Sequence, residues 1–193
     1  MMTWNQLQID RLALMTYLCA NAPKGSLGRT ALMKICYFLQ VLRGVPLGYR
    51  FTLYSYGPFD SDVLSDLGTA ESFHALASSL DVYSGGYGYS IRKGERGDQC
   101  IKSGQAFLTS NRDAIDWALS EFGTHNSAAL ELESTIIYVD REAAAKSENI
   151  SRQEMTRRVH DVKPHFSEET IANTIDNLSE KGLLHALARG ARS

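Results

Sequence analysis

Apolar positions in this chain follow a helical spacing at the start, a strand spacing in the middle and a helical spacing again to the end. Leu7, Leu14, Met15 and Leu18 fall on one stripe, which predicts a helix from an N-cap at Thr3 to about Ala20. Asn21-Ala-Pro-Lys-Gly25 ends it. From Ala31 to Leu42 the apolar residues cover nearly the whole circumference, with little but Lys34 and Gln40 polar. A helix apolar all round is a buried one. Arg50 to Tyr56 then alternates, Phe51, Leu53 and Ser55 against Thr52, Tyr54 and Tyr56, and predicts a strand closed by Gly57-Pro58. Asp60 is placed to cap a short helix bearing Val63, Leu64 and Leu67, with a further helical turn over 73–77.

Two runs, 80–84 and 87–92, flank Gly85-Gly86 and predict a β-hairpin. The polar stretch 93–99 reads as a loop and the natural boundary between two units, 1–98 and 99–193. Helical spacing resumes at about Lys102 with Phe107, Leu108, Ile115, Leu119 and Phe122, broken near Asn111. A helix starting at Asn126 or Ser127 turns Leu132, Ile136 and Val139 inward. Ser151-x-x-Glu154 is a capping box ahead of Met155, Val159 and Val162, and Pro164 stops that helix. Ser167 caps the last one, with Ile171, Ile175 and Leu178 inward and Gly182 at its end, and Leu183-Leu184 is a candidate strand start. The class expected is α+β and mainly helical. It pairs a winged-helix-like N-terminal unit carrying a small antiparallel sheet with a C-terminal helical unit ending in a helix-turn-helix-like pair.

Composition changes this picture little: 193 residues, 44% apolar and 22% charged, describe an ordinary folded chain. The N-terminal stretch has no basic leader, Asp10 and Arg11 interrupt it, and no run is long enough to span a bilayer. Cys19, Cys36 and Cys100 are odd in number and unpaired in spacing. Together these predict a cytoplasmic protein with no membrane partner.

Charge is unevenly distributed, although the net is only −2. Arg11, Lys24, Arg29, Lys34, Arg43 and Arg50 face a single acid, Asp10, in the first fifty residues. Such a cluster is the one candidate nucleic-acid footprint, with Arg11, Lys24, Arg29, Arg43 and Arg50 as its contacts. The alternative is that these charges decorate solvated helix faces. Against DNA binding, the helix at 168–181 presents Glu168, Glu169, Asp176 and Glu180, and the helix after Asp60 carries Asp62 and Asp66. Phosphate repels acidic faces.

Catalytic patterns are missing. Gly85-Gly86-Tyr87-Gly88 lacks the Lys-Ser/Thr of a phosphate loop. His160, His165 and His185 fit no standard zinc spacing, and Cys36 sits on the most apolar helix as an inert thiol. Neither enzymatic activity nor a cofactor is expected. Tyr54, Tyr56 and Phe59, crowded beside the stiff Gly57-Pro58 turn, are candidate partner-binding anchors, because aromatic side chains bury large area at low entropic cost. The competing reading packs them beneath the turn, and the expectation divides them: Phe59 buried, Tyr54 and Tyr56 exposed.

Leu32-Met-Lys34-Ile-Cys-Tyr37-Phe38-Leu-Gln40, Pro46-Leu-Gly48-Tyr49-Arg50-Phe51 and Tyr54-Ser-Tyr56-Gly57-Pro58-Phe59 resemble the YwgA-like bacterial proteins. Val162-Lys-Pro-His-Phe-Ser-Glu-Glu169 extends that resemblance toward the C-terminus. More distantly, Lys34, Tyr37, Phe38, Gln40, Tyr56, Gly57 and Pro58 match the pattern of the SocA-like, or Panacea, antitoxin domain. Cys36 departs from that pattern, and residues 100–193 have no counterpart in it. The resemblance implies a protein-binding role, neutralising a toxin or presenting a cargo to a protease, with a toxin or phage-defence component as partner. The alternative is a winged-helix transcriptional regulator, and a homo-oligomer is compatible with either.

Overall fold

The computed structural model describes residues 5–83 and 86–187. In chain order the elements are α1 (Gln6–Ala20), α2 (Arg29–Arg43), β1 (Thr52–Tyr54), β2 (Gly57–Phe59), α3 (Ser61–Ser72), β3 (Leu76–Tyr83) and β4 (Gly86–Lys93). There follow α4 (Gly97–Ser103), α5 (Gln105–Ser110), α6 (Arg112–Phe122), α7 (Ser127–Ala145), α8 (Arg152–Val162) and α9 (Glu168–Glu180). The chain is mainly helical α+β, as its hydrophobic pattern predicts. It divides into two compact units: residues 1–52 with 59–127, and residues 53–58 with 128–193.

In the first unit α2 is the buried axis, and every residue from Leu32 to Leu39 is inaccessible, Lys34 included. The ring of Phe38 stacks on Phe122 of α6 at 4.0 Å, and Tyr37 meets Phe51 edge-on at 5.1 Å. Gly44, in the left-handed conformation, ends the helix. Leu27 makes a two-bond antiparallel bridge with Ile91 of β4 (3.0 and 2.8 Å). The order is α1, the bridging residue Leu27, α2, the short β1–β2 arms, α3 and the β3–β4 hairpin; apart from the inserted arms it is the order expected of a winged-helix-like unit, with α3 in the recognition-helix place and β3–β4 as the wing. β3 and β4 pair from Leu76↔Lys93 to Tyr83↔Gly86.

Several local expectations shift. The N-cap of α1 is Asn5, whose side chain accepts from Gln8 N–H, and Thr3 lies outside the described residues. The strand expected over 50–56 is a three-residue arm, and Gly57-Pro58 begins a second arm instead of ending the first. Arms this short show no periodicity. The helical turn expected over 73–77 is the start of β3, entered through His74 at φ 58°. Gly86 is a strand residue, and Gly85 lies outside the described residues.

The boundary expected at 98/99 falls inside α4, which packs on α1: a Cβ on Gly104 would stand 2.4 Å from the Ala13 methyl. The polar stretch 93–99 therefore turns into α4 within one unit, and the divisions lie at 52/53, 58/59 and 127/128.

The second unit is built on α7, α8 and α9 around Leu130, Ile136, Met155, Val159, Ile171, Ile175 and Leu178. Ser151 accepts from Glu154 N–H as a cap should, but the Glu154 carboxylate turns to Arg157 and Arg158, so the capping box is half made. No strand forms at Leu183-Leu184; Asp140, fully buried, holds the backbone N–H groups of His185 and Ala186 at 2.8–3.0 Å, and Leu187 bridges Ile150 in parallel.

Candidate functional site

The hairpin β1–β2 turns at Ser55-Tyr56, and Gly57 supplies the positive φ (86°) that the turn needs. Tyr54 and Tyr56 stand on it at 67% and 75% exposure. Gly57 and Pro58 are buried and Phe59 is half-buried. The two tyrosines are exposed as expected, whereas Phe59, expected to be buried, is only half-buried. The reason lies below the turn, where Lys163, 1% exposed, closes α8. Its ammonium donates to the carbonyls of Ser55 and Tyr54 (3.4 Å for the latter) and pairs with Glu131 of α7 at 2.9 Å. His165 Nε2 is 3.3 Å from the same Glu131 oxygen. A buried charge must be paired and hydrogen-bonded, and here the partners include the backbone of the turn. Two exposed tyrosines thus ride on a turn whose carbonyls are held from beneath.

That clamp joins two stretches 108 residues apart, Tyr54-Ser-Tyr-Gly-Pro and Val162-Lys-Pro-His-Phe. Nothing in the sequence around Lys163 distinguishes it from a solvated lysine, so its role was not legible there. Of the other residues that carry the resemblance, Lys34, Tyr37 and Phe38 are buried. Gln40 reaches both backbone groups of Tyr49, each at 2.9 Å. They hold the fold, and Tyr54 and Tyr56 are the aromatics of these segments that face solvent.

Of the five bases suggested for nucleic acid, three stack on aromatic rings. Arg11 lies over the Tyr49 ring (4.1 Å), donates to the Leu47 carbonyl at 2.6 Å and pairs with Asp66 at 3.5 Å. Asp66 also accepts from the Tyr49 hydroxyl at 2.9 Å. Burial raises the Asp66 carboxyl above the usual range, against the pull of Tyr49 and Arg11, and burial likewise drives the Tyr49 phenol up. Arg29 stacks on Tyr89 at 3.5 Å and Arg43 on Trp117 at 3.6 Å. Lys24 and Arg50 are exposed. The α3 helix carries Asp62, Asp66 and Glu71 and no base.

The wing shows a second surface that the sequence pattern held but that was read only as a hairpin. Leu80 pairs with Tyr89 and Val82 with Tyr87, so the four share one face, a continuation of buried Leu76 and Ile91. All four are exposed, Val82 at 80%. Burial makes the thiols of Cys19 and Cys36 harder to ionise, Cys19 at about 12, and raises that of Cys100 as well. Among the described residues no group of three His, Cys, Asp or Glu side chains is arranged to hold a metal ion, and no helix is long and apolar enough to cross a membrane.

No protein-family model matches the chain, and no curated protein matches it significantly.

Proposed function

We propose that this chain is a non-enzymatic, regulatory protein-binding module that engages its partner through Tyr54 and Tyr56. The observation that carries this reading is the pairing of two largely exposed tyrosines with a turn held by buried Lys163. Exposed aromatics on a preorganised turn lose little entropy when a partner covers them, which is the profile of interface hot spots. The resemblance of the same segment to the YwgA-like and antitoxin groups favours a toxin or defence component as that partner.

The test is a photo-crosslinking amino acid at position 56, with Thr109 on exposed α5 as control position. One discrete protein should crosslink from position 56 alone, and Tyr54→Ala should reduce the yield at least tenfold, the size of a roughly 2 kcal/mol hot spot. Identical crosslinking patterns from both positions would end the proposal.

A second reading, DNA binding, is favoured by the winged-helix order of the first unit. Its cost is that α3 presents exposed Asp62 and half-buried Glu71 and no base, and phosphate repels acids. Nanomolar, sequence-specific duplex binding at physiological salt would establish it over the first reading.

A further inference from the structure

The first unit contains a polar cavity of about 220 Å³ at the N-terminus of α2. Among the residues that line it are Lys24, Ser26, Gly28, Ser90, Thr124 and His125. Two independent features meet there. The first is an uncapped helix end: α2 is 15 residues long, its N-cap is Gly28, no side chain caps it, and its first turn holds no acid. The N–H groups of Arg29, Thr30 and Ala31 precede the first intrahelical bond, and the helix dipole adds about half a positive charge at that end.

The second is Ser90. Its residue is 6% exposed, it lines the cavity, and its hydroxyl makes no hydrogen bond with any described side chain or backbone group. The hydroxyl is not sealed off from the cavity, and the cavity is where its partner would sit. Donor N–H groups, hydroxyls of Ser26, Ser90 and Thr124, and the Lys24 ammonium are the set that recognises a tetrahedral oxyanion. One acid, Asp81 on β3, also lines the cavity and opposes this.

We propose that this cavity binds a phosphate group, either free phosphate or the phosphomonoester of a small metabolite. The helix end and Ser90 hold the oxygens and Lys24 offsets the charge. Asp81 weakens the site.

The full chain is titrated with inorganic phosphate by calorimetry at low ionic strength, where screening over about 10 Å is least. Saturable one-to-one binding is expected, with Kd on the order of millimolar. Ser90→Ala and Lys24→Met should each weaken it by roughly fivefold to tenfold. Asp81→Asn, a change at an exposed residue, should tighten it by roughly threefold or more. That gain cannot arise from misfolding. A parallel titration with a nucleoside monophosphate separates the two sources. Tighter, phosphate-competitive binding identifies an ester ligand; equal or weaker competitive binding identifies the free anion. Absence of saturation, or affinities that Ser90→Ala and Asp81→Asn leave unchanged, overturns the proposal.

Discussion

Replacing Lys163 by Met removes the charge beneath the tyrosine turn while keeping a side chain of similar length. At 2.9 Å from Glu131, and with an effective dielectric of about 20, the gross attraction is roughly 6 kcal/mol before desolvation. Much of that offsets the cost of burying both ions. The measurable loss is the penalty of stranding Glu131, itself 7% exposed, without its cation, about 3–5 kcal/mol. Ser55 is an exposed residue, so the lost backbone bonds count as a small addition to that figure. Urea unfolding followed by far-UV circular dichroism measures the loss. The Lys163→Met, Glu131→Met double variant removes both ions and should return to within about 1 kcal/mol of wild type, because replacing a whole buried pair by apolar groups is often neutral. Amide exchange at Ser55 and Tyr56 should be faster in both variants, since neither holds the carbonyls. A single variant within about 0.5 kcal/mol of wild type, the range of ordinary surface changes, would refute the clamp. So would a double variant as damaged as the single one.

Tyr54→Ala and Tyr56→Ala should each stay within about 0.5 kcal/mol of wild type in the same unfolding assay, whereas Phe122→Ala, which empties a fully buried stack on Phe38, should cost about 3–5 kcal/mol. Gly68→Ala should raise stability by about 0.5–1 kcal/mol, because a methyl there meets nothing within 4 Å in mid-helix, while Gly104→Ala should lower it by about 1–3 kcal/mol through its clash with Ala13. Hydrogen bonds from Arg157 and then Arg158 hold the Glu154 carboxyl well below its usual value, at about 2. A carboxyl depressed in the folded state contributes stability above its unfolded value and loses it as pH falls toward 2, so Glu154→Gln should flatten the acid limb of the stability curve, and a carbon-13 titration placing Glu154 near its usual value of about 4.3 would contradict the pairing. In the native protein Cys19 and Cys36 should resist thiol reagents at pH 8, with labelling appearing only on unfolding.

The sequence by itself determined the elements whose signals are local. The all-round apolar run of α2, the Asp60, Ser151 and Ser167 caps, the break at Asn111 and the inward stripe Ile171-Ile175-Leu178 all depend on neighbours within a turn or two, and all are present. What tertiary structure decided are the pairings between distant segments. A polar stretch at 93–99 reads the same whether it links two units or turns inside one, and only α4 packing on α1 settles it. Arg11, Arg29 and Arg43 read as a basic cluster because they are near in sequence, yet each stacks on a ring brought from elsewhere in the fold. Lys163 shows the same limit in reverse. Its sequence gives no sign of burial, because the groups that make burial tolerable, the Glu131 carboxylate and the Ser55 carbonyl, are 32 and 108 residues away. Local propensity acts over a few residues, whereas the dielectric environment of a charge is set by whatever the folded chain packs around it.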